Sequence, residues 1–137
     1  VVFTRFIAPE KPTGAWVPYY ELWPFALDAG PLNEMAPAFD TNGHRMVDLP
    51  TFGKWGPDLD AAIEGSREIV LVGVSTDCCV ISTALPAADA GVHVVVASDA
   101  CAGVSQADHQ RALDAMGMYA PLIEISSVEE VLASRQG

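Results

Sequence analysis

Two rhythms of apolar and polar positions alternate along the second half of the chain. Glu68-Ile69-Val70-Leu71-Val72-Gly73-Val74 and Val92-His93-Val94-Val95-Val96-Ala97-Ser98 are nearly continuous apolar runs. Such runs predict parallel strands buried on both faces. Shorter runs predict strands at residues 1–7 and 121–125, and a brief one at 45–48. Helical spacing falls between them, at residues 57–64, 77–90, 105–118 and 128–135. The second of these runs from Asp77 to Gly91, good residues for an N-cap and a C-cap. Pro86 inside it removes a backbone bond and predicts a kink, unless the helix ends early. Strands alternating with helices predict right-handed crossovers and an α/β fold, a three-layer α/β/α sandwich on a mostly parallel sheet.

The first half differs. Residues 8–44 are rich in proline and carry Trp16, Tyr19, Tyr20, Trp23 and Phe25. A long aromatic excursion after a strand reads as a substrate-covering loop or as a packed surface segment. The chain opens inside an apolar β-branched run without an initiator Met, which suggests further residues upstream.

Composition narrows the classes. With 137 residues, half of them apolar and 18% charged, the chain is a single globular domain rather than a disordered segment. Its net charge of -11 repels phosphate, so nucleic acid and anionic membranes are poor partners. No apolar run approaches the length of a membrane helix. Three cysteines, Cys78, Cys79 and Cys101, are too few and too uneven for a disulfide framework. They lack zinc-site spacing and point to a reduced, cytoplasmic compartment. Gly-rich phosphate loops and a G-x-S-x-G elbow are absent from the sequence.

The chemistry concentrates where the 68–74 run meets the next helix, at Gly73-Val74-Ser75-Thr76-Asp77-Cys78-Cys79-Val80. In open α/β sheets ligands bind at the carboxyl ends of strands. A cysteine in the first turn of the following helix meets unpaired N–H groups and the positive end of the helix dipole. Both favour thiolate, the nucleophilic form. The same N–H groups suit an oxyanion. Position alone thus leaves Cys78 and Cys79 as candidate nucleophiles, against the alternative of small buried apolar residues.

The stretch Gly73–Ala84 resembles the signature of the isochorismatase-like cysteine hydrolases, which include nicotinamidases and N-carbamoylsarcosine amidohydrolases. The resemblance continues through Ala88-Asp89-Ala90-Gly91, Val95–Cys101 and His109 with Ala112-Leu113. Upstream, Val2-Phe3-Thr4-Arg5 looks like the family's second strand, so the first strand is not among these residues. Thr51-Phe52-Gly53-Lys54-Trp55 looks like the segment after the family's catalytic lysine.

What the resemblance implies is specific. The nucleophile is the cysteine directly before the Val, here Cys79, with Cys78 at a variable position. The oxyanion hole takes the amides of Cys79 and Ser75. A cis peptide is implied at Val74-Ser75, and Thr76 and Asp77 become supports, with Asp77 capping the helix. Counting back from Phe52 for the lysine gives Leu49, which cannot replace it. Lys54 is the alternative, either reaching in from another backbone position or remaining a solvated lysine. No stretch resembling the family's V-D-x-Q, which carries its aspartate, occurs in the sequence.

No bound metal or other cofactor is expected, because residues 6–30 lack histidine and His44, His93 and His109 are scattered. The expected activity is hydrolysis of a non-peptide C–N bond in a small amide or carbamoyl compound. Trp16, Tyr19, Trp23, Phe52 and Trp55 are candidates for an apolar wall around that substrate. The alternative is a fold without turnover that binds a small molecule or a partner subunit, or a piece of a longer enzyme. Family members commonly self-associate, so a homo-oligomer is expected. A parallel sheet lacking its first strand also exposes an edge or a gap, which predicts partner pairing or low stability.

Overall fold

The computed structural model describes residues 1–28 and 30–136, apart from the side chain of Leu32. The chain divides into two compact units, Val1–Phe52 and Gly53–Gly137. Its strands form two separate parallel sheets, one in each unit.

In the first unit β1 (Val2–Phe6) pairs in parallel with β2 (Arg45–Leu49). Arg5 and Asp48 are register partners and form a two-pronged ion pair, Nε to Oδ1 at 2.9 Å and Nη2 to Oδ2 at 2.7 Å. The hydrogen bonds from Arg5 hold the Asp48 carboxyl below its ordinary range. The excursion between these strands is more regular than its proline content predicts. It contains α1 (Trp16–Leu22) and short 3-10 turns at Pro24–Ala26 and Gly30–Asn33. Trp16, Tyr19 and Tyr20 lie three and four positions apart, which puts them on one helical face. Their rings interlock with Phe6 and Phe52 at centroid distances of 5.1 to 6.1 Å.

The second unit carries the order β3-β4-β5, all parallel, built from Glu68–Val74, His93–Ala102 and Ile123–Ser126. The connections hold α2 (Pro57–Ala62), α3 (Ile81–Asp89), α4 (Gln106–Gly117) and α5 (Val128–Arg135). Alternation along β4 divides its neighbours. Val94 and Val96 join Ala84, Ala87, Ala88, Leu113, Met116 and Ile123 in one apolar cluster. Val95 instead lines a cavity of about 440 Å³ with Val131 of α5. The sheet thus has helices over both faces, the predicted α/β/α layering.

Three details depart from expectation. First, β4 runs four residues past Ser98, because its register shifts opposite Leu71 and Gly73 and pairing resumes at Cys101 and Ala102. Second, α3 continues through Pro86 to Asp89. Proline has no N–H, so the Ser82 carbonyl four residues earlier loses its helical donor. Third, β3 pairs only with β4, and its Val72 and Val74 are 59% and 72% exposed.

Side-chain caps open α4 and α5. Ser105 accepts from Asp108 N, and Ser127 with Glu130 forms a reciprocal capping box. Met116 is completely buried in the apolar cluster. Met116→Ala should therefore cost about 2–5 kcal/mol of folding stability, read as a lowered urea midpoint.

Candidate active site

Val74 ends β3, and the Val74-Ser75 peptide is cis, as the resemblance implied. Ser75 is extended, at φ -95 and ψ 146. The chain then enters a wide π turn over Thr76–Val80, which leads directly into α3. The Ser75 carbonyl accepts from Cys78 N at 3.2 Å and from Val80 N at 3.1 Å. Both amides flanking Cys79 are thereby committed to one oxygen. Bonds that span five residues widen a helical turn, and such turns recur at functional sites.

The supports of this turn come from the segment before α4 and from α4 itself. Thr76 is fully buried, and its Oγ1 lies 2.7 Å from His109 Nδ1. Asp77 does not cap the helix it was expected to cap. Ser75 occupies the N-cap, and Asp77 Oδ1 instead accepts from Val104 N at 3.0 Å. The π turn moves the helix start upstream, which places Asp77 inside the first turn. Gly103 fits closely against this contact. A Cβ there would lie 2.8 Å from both Asp77 Oδ1 and His109 N.

Lys54 answers one open question of the sequence. It is no solvated surface lysine: only 3% of it is exposed. Burial lowers its pKa from the ordinary value, while the charges of Cys79 and Cys78 oppose that shift. Lys54 thus lies within electrostatic reach of both thiols. Its backbone N donates to Thr83 Oγ1 at 2.9 Å, and that hydroxyl donates to the Cys79 carbonyl at 2.8 Å.

Cys78 has its pKa pushed up to about 11, chiefly by burial, then by Cys79 and Asp77. At neutral pH it stays a thiol, the less nucleophilic form. Cys101 is also pushed up by burial, and its Sγ lies 3.9 Å from the Leu71 carbonyl. It packs against the apolar cluster.

The aromatic candidates do not gather into one wall among the contacts within each unit. Trp16, Tyr19 and Phe52 belong to the ring cluster of the first unit. Trp23, nearly half exposed, pairs with Phe25 at 6.1 Å. Trp55 packs against the apolar cluster of the second unit.

The histidines have protein partners: Phe3 for His44, Glu68 for His93 and Thr76 for His109. Among the described residues no group of three or more His, Cys, Asp or Glu is placed to hold a metal ion. No helix there is long and apolar enough to cross a membrane.

Sequence reasoning gave Thr83 no role, although a threonine four residues after a cysteine on a helix can bond back to that residue's carbonyl. Gly53 and Gly103 carried no local turn signal. Their need is steric and comes from distant backbone.

A buried amine gains stability as it loses its proton. With the folded pKa lowered, the unfolded chain binds more protons between that value and 10.5, so stability from this group rises with pH across that window. Lys54→Met should raise the melting temperature at pH 7. Its advantage over wild type should shrink as the pH approaches 10.5. Paired thermal melts at pH 7, 9 and 10.5 check this.

Known proteins share this fold. A family model described as "Isochorismatase domain" matches residues 1–127. Isochorismatase domain-containing protein 2 of Xenopus laevis is 46% identical over 88 residues, which cover 62% of this chain and 43% of that protein. An uncharacterized isochorismatase family protein, YecD of Escherichia coli O157:H7, is 36% identical over 80 residues, 57% of this chain and 42% of the relative. The matches thus span less than half the length of these curated relatives. The crystal structure of a cysteine hydrolase from Pseudomonas syringae pv. phaseolicola 1448A superposes with a TM-score of 0.81 at 21% identity, covering 96% of this chain and 70% of that one. With the family model matched over nearly its whole length, and with this fold, the chain belongs to the isochorismatase family.

Proposed function

We propose that this chain is a cysteine-dependent hydrolase acting on a non-peptide C–N bond in a small amide or carbamoyl compound. The observation that carries the reading is a buried lysine held within electrostatic reach of a cysteine in the turn after a parallel strand. An amine taken out of water beside a thiol can stabilise a thiolate or accept its proton.

The proposed sequence of steps is short. Cys79 gives its proton to a base, and its sulfur attacks the substrate carbonyl carbon. Lys54 acts as the charge partner of the sulfur. The tetrahedral oxyanion sits on the amides of Ser75 and Cys79. The C–N bond breaks, the amine leaves with a proton, and a thioester on Cys79 remains. Water then attacks the thioester, releases the acid and returns the proton to sulfur. The neighbouring Cys78 stays protonated near neutral pH and does not compete. Thr76 and Asp77 support the turn through His109 and Val104. Trp55, in the same unit as Cys79, is the proposed apolar contact for substrate. The similar Pseudomonas protein is described as a cysteine hydrolase, which is consistent with this chemistry. The proposal extends to a homo-oligomer and a cytoplasmic setting, on the resemblance and the cysteine content respectively.

A second reading is a domain of the same fold without turnover, binding a small molecule or a partner subunit. Leu49 at the position counted for the family lysine favours it.

One experiment separates the two. Iodoacetamide at pH 7, read by peptide mass spectrometry, should alkylate Cys79 on the order of tenfold faster than Cys78 or Cys101. Turnover on a panel of small primary amides should fall on the order of a thousandfold or more in Cys79→Ser. Lys54→Met should slow the alkylation of Cys79 but not of Cys101. Equal alkylation of all three cysteines, with no turnover on the panel, would leave the binding module as the function of this chain.

A further inference from the structure

The backbone carrying Lys54 meets α3 at one place. Thr83, 5% exposed, accepts from Lys54 N and donates to the Cys79 carbonyl. One hydroxyl therefore joins residues 54 and 79, which are distant in sequence. Back-bonding of a threonine to the carbonyl four residues earlier is a common local habit of helices. Accepting an amide from a segment 29 residues away is not.

A second contact lies beside the first. Gly53 approaches the Ser82 carbonyl so closely that a Cβ at position 53 would collide with that oxygen. Pro86 has removed the helical donor for the same carbonyl. Residues 82 and 83 thus offer a carbonyl and a hydroxyl to the passing 53–54 backbone, while the Lys54 side chain is buried.

We infer that Thr83 is a positioning residue, and that its hydroxyl sets the Lys54 amine against Cys79. This explains how a lysine away from the family's counted position comes within electrostatic reach of the sulfur. The family's lysine count fixes a backbone position. Here the Thr83 and Gly53 contacts fix the backbone at residue 54 instead. The inference rests on the cysteine-hydrolase reading for what Lys54 does, but not for where Lys54 sits.

Thr83→Val keeps the shape and removes the hydroxyl, leaving both Lys54 N–H and the Cys79 carbonyl without this partner. Thr83→Ser keeps the hydroxyl. In the full chain at pH 7, acetic anhydride labelling of Lys54 is compared with that of Lys11, and iodoacetamide labelling of Cys79 with that of Cys101. Thr83→Val should raise relative Lys54 labelling on the order of tenfold and slow Cys79 alkylation by a similar factor. Thr83→Ser should restore both. Lys54 labelling unchanged in Thr83→Val, or failure of Thr83→Ser to restore it, overturns the inference.

If Thr83→Val does not melt cooperatively, Gly53→Ala displaces the same backbone from the other contact. It should reproduce the rise in Lys54 labelling, and wild-type labelling there is equally fatal. If wild-type Cys79 reacts no faster than Cys101, the hydrolase reading falls, and Lys54 labelling alone decides the positioning role.

Discussion

An amine withdrawn from water loses hydration that only opposite charge and well-aimed dipoles replace. Lys54 is in that position, and the turn after β3 is organised around it. Two sulfurs lie within its electrostatic reach, one of them held protonated by burial. The Lys54 backbone is pinned to α3, and the π turn is pinned to α4 through Thr76 and His109. Each contact alone is an ordinary hydrogen bond of about 1 kcal/mol net. Their value lies in geometry, because side chains that act on one another must be held within fractions of an ångström.

The elements around the turn supply that rigidity. β4 is buried through Val94, Val95, Val96 and Ala97, and the cluster with α3 and α4 is filled by small and branched side chains. Ala84, Ala87 and Ala88 let α3 lie close over the sheet. A π turn costs helical regularity, and it is tolerated here because Ser75, Thr76 and Asp77 each find partners beyond their own helix or at its start.

Much of this was legible in the sequence. The β3 run is bounded as expected, and α5 begins and ends where its serine caps and spacing place it. The turn that carries Cys79, with its cis Val74-Ser75 peptide, was legible because the strand-to-helix junction carries a recognisable motif. Lys54 was only half legible, because burial follows from tertiary contacts that lysine's own preferences oppose. Thr83, Gly53 and Gly103 were silent, since each acts on a residue far along the chain. The helix α1 was hidden by Pro18 within it and the prolines around it. Pro86 misled in a different way. The rule that proline breaks helices is local, whereas α3 continues through it to Asp89.

The register shift in β4 carries a consequence for how such chains change length over time. Between the rungs Leu71–Val96 and Gly73–Cys101, β4 holds more residues than β3. Ser98 and Asp99 lie in that surplus and hold the start of α5, through the Ser126 carbonyl and Val128 N. An insertion or deletion at this point would therefore move the seat of α5 and leave the rungs on either side paired. The strand works as a splice: residue count can drift at the rim of the sheet while the π turn keeps its neighbours.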